Sequence, residues 1–129
     1  MRVLLDTQCW LWMLAAPARL SEPARRLVES ADTDLLLSAA SAWEIAIKHA
    51  LGKLTLPAEP DVLVPALMVQ TRVTALPIDH DHALRAGRLP RHHRDPFDRM
   101  LIAQAQLEAV PILTSDPHFR DYDVELIAA

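Results

Sequence analysis

The stretch "DPFDRMLIAQAQLEAVPILTSD", residues 95–116, decides the fold because it predicts a helix that leads directly into a buried strand. Asp95 followed by Pro96 is typical of a helix start, with the aspartate as N-cap and the proline in the first turn. The helical pattern runs from about 96 to 109, and the apolar run at 110–115 is typical of a strand buried on both faces. A helix that precedes a parallel strand runs antiparallel to it, so we expect the first turn of this helix at the carboxyl edge of the sheet.

The rest of the chain repeats this alternation of short apolar strands and helices. The predicted strands span residues 2–5, 34–37, 73–78, 110–115 and 123–127. The predicted helices begin after residue 6, at Ser21, at Ser41, near residue 58 and after Asp79, and a loop is predicted at 87–94. Gly52 is a predicted helix stop. Strands that alternate with helices predict an α/β fold with a mainly parallel sheet of about five strands covered on both faces.

Composition limits the classes of protein that this chain can belong to. Its 129 residues, 51% hydrophobic and 23% charged, predict one globular domain over 1–129. No apolar run is long enough to cross a bilayer, and the N-terminus reaches an aspartate before any signal-peptide core can form. A single cysteine, Cys9, excludes an internal disulfide, so we predict a cytoplasmic protein.

Four acidic side chains are predicted to meet at the carboxyl edge of the sheet. Asp6 follows the first strand, Asp116 follows the fourth, and Glu44 and Asp98 lie near the N-terminal ends of helices that begin at the same edge. Converging carboxylates repel one another, and a divalent cation removes that cost. Ligands that are all oxygen favour Mg²⁺ or Mn²⁺ over zinc.

Each of these acids also has a purely structural interpretation. Glu44 has the capping-box spacing from Ser41 and the ion-pair spacing to Lys48. Asp6 could cap the following helix, and Asp116, which precedes a proline, could be an ordinary turn residue. Asp98 could be the N3 acid of a capping arrangement in which Asp95 is the N-cap. Only the coincidence of all four acids at one edge favours a metal site.

Other reactive or aromatic side chains are predicted to be structural. The sequence contains no further Cys or His residues at the spacing that would complete a zinc site with the available histidine pairs. We therefore predict surface positions for His80, His82, His92 and His93. Core positions, rather than a base-stacking platform, are predicted for Trp10, Trp12 and Trp43. Cys9 is predicted to be a small buried residue and not a nucleophile.

The segments "LLDTQCWLW", "SAWEIAIK", "HHRDPFDRMLIAQA" and "ILTSDPHF" occur in the order found in PIN-domain ribonucleases. The chain resembles that family over essentially its whole length, and within it the VapC-type toxins of bacterial toxin–antitoxin pairs. The resemblance implies a three-layer α/β/α fold and Mg²⁺- or Mn²⁺-dependent cleavage of RNA, with Asp6, Glu44, Asp98 and Asp116 as metal-binding catalytic acids. Thr7 and Ser115 match positions that support those acids. Gln8 stands where such toxins often have histidine, so no role is carried over to it.

The resemblance also implies partners. Such proteins commonly form homodimers and are silenced by a small VapB-type antitoxin that lies in the active-site groove. Although the net charge is −4, five of the thirteen lysine and arginine residues lie between 85 and 99, where they could hold an RNA backbone. The possible RNA contacts are Arg91, His92, His93, Arg94 and Arg99.

Two other functions fit parts of the sequence. A binding module could keep the PIN fold without catalysis, although the presence of all four acids argues against this. An aspartate-based phosphatase also has an aspartate after its first strand, but its chemistry needs a second aspartate where this chain has Gln8.

Overall fold

The computed structural model describes residues 1–129 and contains one five-stranded sheet. Its strands are β1 (Arg2–Leu5), β2 (Asp34–Ser38), β3 (Thr74–Leu76), β4 (Ile112–Thr114) and β5 (Leu126–Ala128). Their order is β3-β2-β1-β4-β5, and every neighbouring pair is parallel. The predicted fold class is therefore confirmed. The last strand begins three residues later than its predicted start at 123, because a 3₁₀ turn at Pro117–Asp121 and an irregular segment precede it.

Six helices cover the two faces of this sheet. They are α1 (Thr7–Ala15), α2 (Glu22–Glu29), α3 (Ala39–Ala50), α4 (Pro60–Thr71), α5 (His80–Arg88) and α6 (Pro96–Glu108). Successive residues of β1 belong to opposite cores: Val3 and Leu5 pack with α1, α2 and α4, whereas Leu4 packs with α6. This alternation follows from the two-residue period of a strand, and it produces the three layers. Burial on both faces explains why the three central strands, β1, β2 and β4, carry runs of leucine, isoleucine and valine.

Three predicted helix caps are present. Ser21 Oγ accepts the Ala24 N–H at 3.2 Å, and Asp79 Oδ1 accepts the His82 N–H at 3.0 Å. Asp95 Oδ1 accepts the N–H groups of residues 97 and 98 at 2.8 and 3.2 Å. Asp95 therefore satisfies two of the N–H groups that begin α6. The carboxylate of Asp98 is left free for another role.

The start of α3 differs from the prediction. The helix begins at Ala39 instead of Ser41, and its cap is Ser38, whose Oγ accepts the Ala40 N–H at 3.0 Å. Ser38 is also the last residue of β2, so strand and helix follow one another without a loop. The predicted stop is confirmed, since Gly52 has φ = 70° directly after the C-cap residue Leu51.

Two side chains lie in environments opposite to those predicted. Trp43 is 62% exposed, because its position on α3 points away from the sheet and toward Phe97 of α6. His82 is buried instead of exposed: its Nδ1 accepts the Asp79 N–H at 3.1 Å, and its Nε2 lies 3.1 Å from Glu108 Oε1. The sequence spacing did not indicate that His82 completes the capping box of α5 and that its ring also reaches Glu108 of α6.

Several other predictions are confirmed. Trp10 is fully buried, and Trp12 is partly buried against the same core. Cys9 is buried, and this burial raises the pKa of its thiol to about 12, which makes it a poor nucleophile. None of the six helices combines the length and the apolar character that crossing a bilayer requires.

Candidate active site

All four predicted acids line one pocket of about 480 Å³ at the carboxyl edge of the sheet. Asp6 immediately follows β1, and Asp116 lies two residues after β4. Glu44 is in α3, and Asp98 is in the first turn of α6. The chain adds β2 and β3 on one side of β1 and then returns to add β4 and β5 on the other. The pocket lies where this reversal opens a crevice, the usual ligand position in such sheets.

Asp6 is held by a hydroxyl from the neighbouring strand. Thr114 Oγ1 accepts the backbone N–H of Asp116 at 3.0 Å and donates to Asp6 Oδ2 at 2.8 Å. Asp6 occupies the N-cap position of α1, but its side chain makes no capping hydrogen bond there, so the carboxylate is not used as a helix cap. Burial raises the pKa of the Asp6 carboxyl, the bond from Thr114 opposes this, and the charges of Glu44 and Asp116 add to it.

Glu44 is paired with a cation one helical turn later. Lys48 Nζ lies 2.6 Å from Glu44 Oε2, which confirms the predicted ion pair. The hydrogen bond with Glu44 raises the pKa of the Lys48 ammonium. The predicted capping box with Ser41 is absent, because Ser38 caps α3 and Ser41 Oγ accepts a hydrogen bond from Thr7 Oγ1 at 2.8 Å.

Asp98 is buried beside an imidazole. Its Oδ2 lies 2.6 Å from His93 Nε2, in the loop before α6. Burial raises the pKa of the Asp98 carboxyl to about 7, the hydrogen bond from His93 opposes the change, and the charges of Asp95 and Asp6 add to it. The fold therefore holds this carboxylate where ionisation is unfavourable without added positive charge.

Asp116 has a different environment, although it lines the same pocket. Its Oδ1 accepts the backbone N–H of His118 at 2.9 Å and lies 2.8 Å from His118 Nδ1. Partial burial acts to raise the pKa of this carboxyl, but the hydrogen bonds and charge of His118 outweigh it, and the pKa is lowered. Asp116 therefore stays ionised over a wider pH range than Asp98 or Asp6.

The two predicted supporting residues do not donate side-chain hydrogen bonds to the acids. The hydroxyl of Thr7 donates to Ser41, which links α1 to α3 beneath the pocket. Ser115 lines the pocket, but Thr114 supplies the hydroxyl that binds Asp6. Thr114 was missed in the sequence, where its signal is a hydroxyl at the end of a strand that neighbours β1. Lys53 also lines the pocket and was not singled out.

The basic segment divides into free and engaged side chains. Arg91, His92 and Arg94 are exposed. Arg99 instead donates to the carbonyls of Ala86, Leu89, Pro90 and His93 at 2.9 to 3.2 Å. A guanidinium whose donors are occupied by backbone carbonyls is poorly placed to bind phosphate, so Arg99 is not retained as an RNA contact. His93 is likewise engaged, with Asp98.

The donor set fits a hard divalent cation. Asp6, Glu44 and Asp98 are each less than a tenth exposed, and the lysines that line the same pocket are Lys48 and Lys53. Lys48 is already paired with Glu44, so the buried carboxylates carry excess negative charge. Carboxylate oxygens in a solvent-accessible pocket suit Mg²⁺ or Mn²⁺, which retain some of their water ligands.

Comparison with known proteins identifies the family of this arrangement. A family model described as the PIN domain matches residues 3–125. Ribonuclease VapC16 of Mycobacterium tuberculosis is 45% identical over 58 residues, which cover 45% of this chain and 41% of that protein. The aligned part thus spans about two-fifths of the length of this curated relative.

Solved structures share the fold over nearly the whole chain. VapBC2 from Rickettsia felis, bound to a promoter DNA fragment, has a TM-score of 0.73 at 12% identity and covers 99% of this chain and 98% of that chain. DNA-bound VapBC from Salmonella typhimurium has a TM-score of 0.72 at 15% identity, with the same coverage of both chains. VapBC-5 from Mycobacterium tuberculosis has a TM-score of 0.63 at 23% identity, also covering 99% and 98%.

The environment of Asp98 predicts how the metal-free protein responds to pH. Its pKa is about 7 in the fold against 3.8 ordinarily, so the folded protein holds this proton more tightly than the unfolded chain does. The resulting contribution to the free energy of unfolding is fully present below about pH 4 and is lost as the pH rises through 7. In EDTA at pH 8, Asp98→Asn should therefore raise the Tm by on the order of 5 °C. Differential scanning calorimetry should show the difference disappearing at pH 4.

The exposed Asp121→Asn provides the control and should leave the Tm unchanged at both values of pH. Added Mn²⁺ should raise the Tm of the original chain and not that of Asp98→Asn. A lower Tm for Asp98→Asn at pH 8 in EDTA would show that the ionised carboxylate stabilises the fold, contrary to this account.

Proposed function

This chain belongs to the PIN domain family, and on that premise we propose that it is a metal-dependent endoribonuclease, the toxin of a toxin–antitoxin pair. The observation that carries the proposal is the convergence of Asp6, Glu44, Asp98 and Asp116 on one pocket. The curated relative with 45% identity is named a ribonuclease, which supports RNA as the substrate. We take residues 1–129 as one domain, and the buried free Cys9 suits the reducing cytoplasm.

The four acids are proposed to hold Mg²⁺ or Mn²⁺ through carboxylate oxygens. A bound divalent cation would polarise a phosphate oxygen and make water acidic enough to attack phosphorus. The chain's own residues prepare this site. Thr114 fixes the orientation of Asp6, and Lys48 offsets the charge of Glu44. The exposed Lys53, on the pocket wall, is placed to attract the phosphate group that is cleaved.

The exposed cations before α6 are proposed to bind the RNA backbone. Arg91 and Arg94 line a polar pocket of about 450 Å³ that also includes His93, the residue bound to Asp98. A strand whose phosphate lies at the acids can therefore continue past these arginines. Such contacts position the backbone and do not select sequence. His92 is exposed at the same loop and extends the surface.

An apolar groove beside the acids is proposed to bind the antitoxin. It has a volume of about 560 Å³, lies between α1 and α4, and shares Leu11, Trp12, Ile45 and Leu54 with the acidic pocket. An amphipathic segment could place its apolar face in this groove and a basic side chain among the acids. VapBC-5 from Mycobacterium tuberculosis is described as a member of the VapBC family of toxin–antitoxin systems, which supports a VapB-type partner.

A separate apolar patch is proposed to form a homodimer. Trp43 is 62% exposed and contacts Phe97 edge-on, with ring centroids 5.4 Å apart. Ile78 and Met100 line the same depression. An exposed tryptophan in a contiguous apolar surface is typical of a protein interface, where aromatic residues dominate binding. A second copy of this chain would cover both aromatic rings.

The proposed activity predicts RNA cleavage that depends on Mg²⁺ or Mn²⁺ and stops in excess EDTA. Asp98→Asn should lower the cleavage rate by about a thousandfold or more, since metal-assisted catalysis supplies several kcal/mol. Cleavage of total RNA, followed by end mapping, measures this. Glu29→Gln, which removes an exposed acid outside the pocket, should cleave normally. Folded, metal-binding protein that cleaves no RNA would favour the binding module, and hydrolysis of p-nitrophenyl phosphate would favour the phosphatase.

If the antitoxin binds in this apolar groove, a charge placed in the groove should prevent binding, whereas a charge placed elsewhere on the surface should not. Leu56→Glu places a carboxylate in the groove and should abolish co-purification with the proposed VapB-type antitoxin. Leu107→Glu on α6 is the matched control, because Leu107 is 39% exposed and lies outside the groove. Co-expression and affinity purification make the comparison. Equal recovery of the partner by both variants would exclude this groove as its binding site.

The dimer patch predicts a change in mass. The chain of 14.4 kDa should sediment at twice that mass, and Trp43→Glu should return it to a single copy. Val69→Glu is the control, because Val69 is 80% exposed on α4 and does not line the patch. Analytical ultracentrifugation separates the two species. A Trp43→Glu variant that remains dimeric would place the interface elsewhere.

A further inference from the structure

The loop before α6 directs one imidazole onto an acid of the pocket. His93 Nε2 lies 2.6 Å from Asp98 Oδ2. When Asp98 is ionised its carboxylate oxygens can only accept hydrogen bonds, so Nε2 then carries the proton of this bond. No other side-chain or backbone group donates to the Asp98 carboxylate, and Oδ1 has no hydrogen-bond partner in the protein. The bond therefore occupies one oxygen and leaves the other for the pocket.

His93 is itself fixed from several directions. Its backbone N–H donates to Tyr122 Oη at 2.8 Å, and its carbonyl accepts from Arg99 Nη1 at 3.2 Å. Its ring stacks on His118, with centroids 5.0 Å apart and planes 15° from parallel. The ring of Phe119 approaches it edge-on at 6.4 Å. A residue restrained at its backbone and its ring can hold a second side chain in one orientation.

The restraints continue into the core. Tyr122 is 6% exposed, and its hydroxyl donates to the carbonyl of Pro90 at 2.8 Å. Arg99 binds the carbonyls at the end of α5 and in the following loop. The loop is therefore ordered by the fold, and no ligand is needed to place the imidazole.

His118, whose ring stacks on His93, forms a similar hydrogen bond to a second acid of the pocket, Asp116. His118 binds Asp116 Oδ1 through its backbone N–H and its Nδ1, which leaves Oδ2 free. Ligand-capable atoms of His93, Asp98 and Asp116 all lie within 4.8 Å of one another. Two stacked imidazoles thus each hold one carboxylate at the same side of the pocket.

We propose that His93 is a positioning residue, which orients the Asp98 carboxylate for the divalent cation while remaining outside the ligand set. The inference rests on the proposed metal site. Hydrogen bonds that orient metal ligands are worth about 10- to 100-fold in metal affinity. His93 was predicted from the sequence to lie free beside the groove, and its contact with Asp98 assigns it this different role.

Mn²⁺ binding to the whole chain tests the assignment. Calorimetric titration should show that His93→Leu weakens Mn²⁺ binding by about 10- to 100-fold. His93→Gln carries an amide N–H that can reach Asp98, and it should restore affinity to within about threefold of the original chain. His80→Leu is the matched control and should bind normally, because His80 is exposed at the start of α5 and does not line the acidic pocket.

Three outcomes would overturn the proposal. The first is a folded His93→Leu that binds Mn²⁺ as tightly as the original chain. The second is electron spin echo modulation from a directly bound imidazole nitrogen in the Mn²⁺ complex, lost in His93→Leu, which would make His93 a ligand. The third applies if His93→Leu does not fold. In that case the test uses His93→Asn, whose amide is too short to reach Asp98, and the proposal fails if this variant binds Mn²⁺ as tightly as His93→Gln.

The same experiment separates this inference from the function on which it rests. An original chain that binds no Mn²⁺ overturns both the metal site and the role of His93. If the original chain binds Mn²⁺ and cleaves RNA, but His93→Leu has the same Mn²⁺ affinity, only the role of His93 is overturned.

Discussion

The burial of several carboxylates in one pocket is the constraint to which the neighbouring structure responds. Asp6, Glu44 and Asp98 are each less than a tenth exposed and line one pocket. Burial disfavours the charged form of Asp6 and Asp98, and the charges of neighbouring acids add to this, so the pKa values of both carboxyls are raised. The fold tolerates this arrangement because each acid has a partner of a different kind: a hydroxyl, an ammonium group or an imidazole. These partners reduce the repulsion without cancelling the negative charge that a cation would meet.

Each partner engages one oxygen of its carboxylate, but the pKa values of Asp6, Asp98 and Asp116 do not all shift in the same direction. Thr114 and His93 each engage one oxygen of a carboxylate. Asp116 also keeps one oxygen free, but its pKa is lowered, so it remains charged under more acidic conditions. The pocket therefore combines Asp116, whose pKa is lowered, with Asp6 and Asp98, whose pKa values are raised. Such a set favours binding of a cation over a permanent internal ion pair.

The backbone part of this site could be predicted from the sequence, because topology fixes it. Asp6 and Asp116 end neighbouring parallel strands, and Asp95 with Pro96 fixes where α6 begins. The side-chain partners could not be predicted in the same way. Thr114 and Asp6 are 108 residues apart, and His93 reaches Asp98 through a loop with no periodic pattern. Trp43 and His82 were misjudged because residue type predicts average burial, whereas the packing of α5, α6 and α3 decides these two positions.

The contacts of Arg99 make the path of the loop before α6 independent of the side chains that the loop carries. Its guanidinium binds carbonyl oxygens of residues 86, 89, 90 and 93, and every residue type supplies such an oxygen. The path of the loop is therefore secured through its main chain, while the side chains of Arg91, His92 and Arg94 project into solvent. Evolution can exchange these three side chains without moving Asp98. Related PIN domains could in this way change the surface beside the pocket while its acids stay in place.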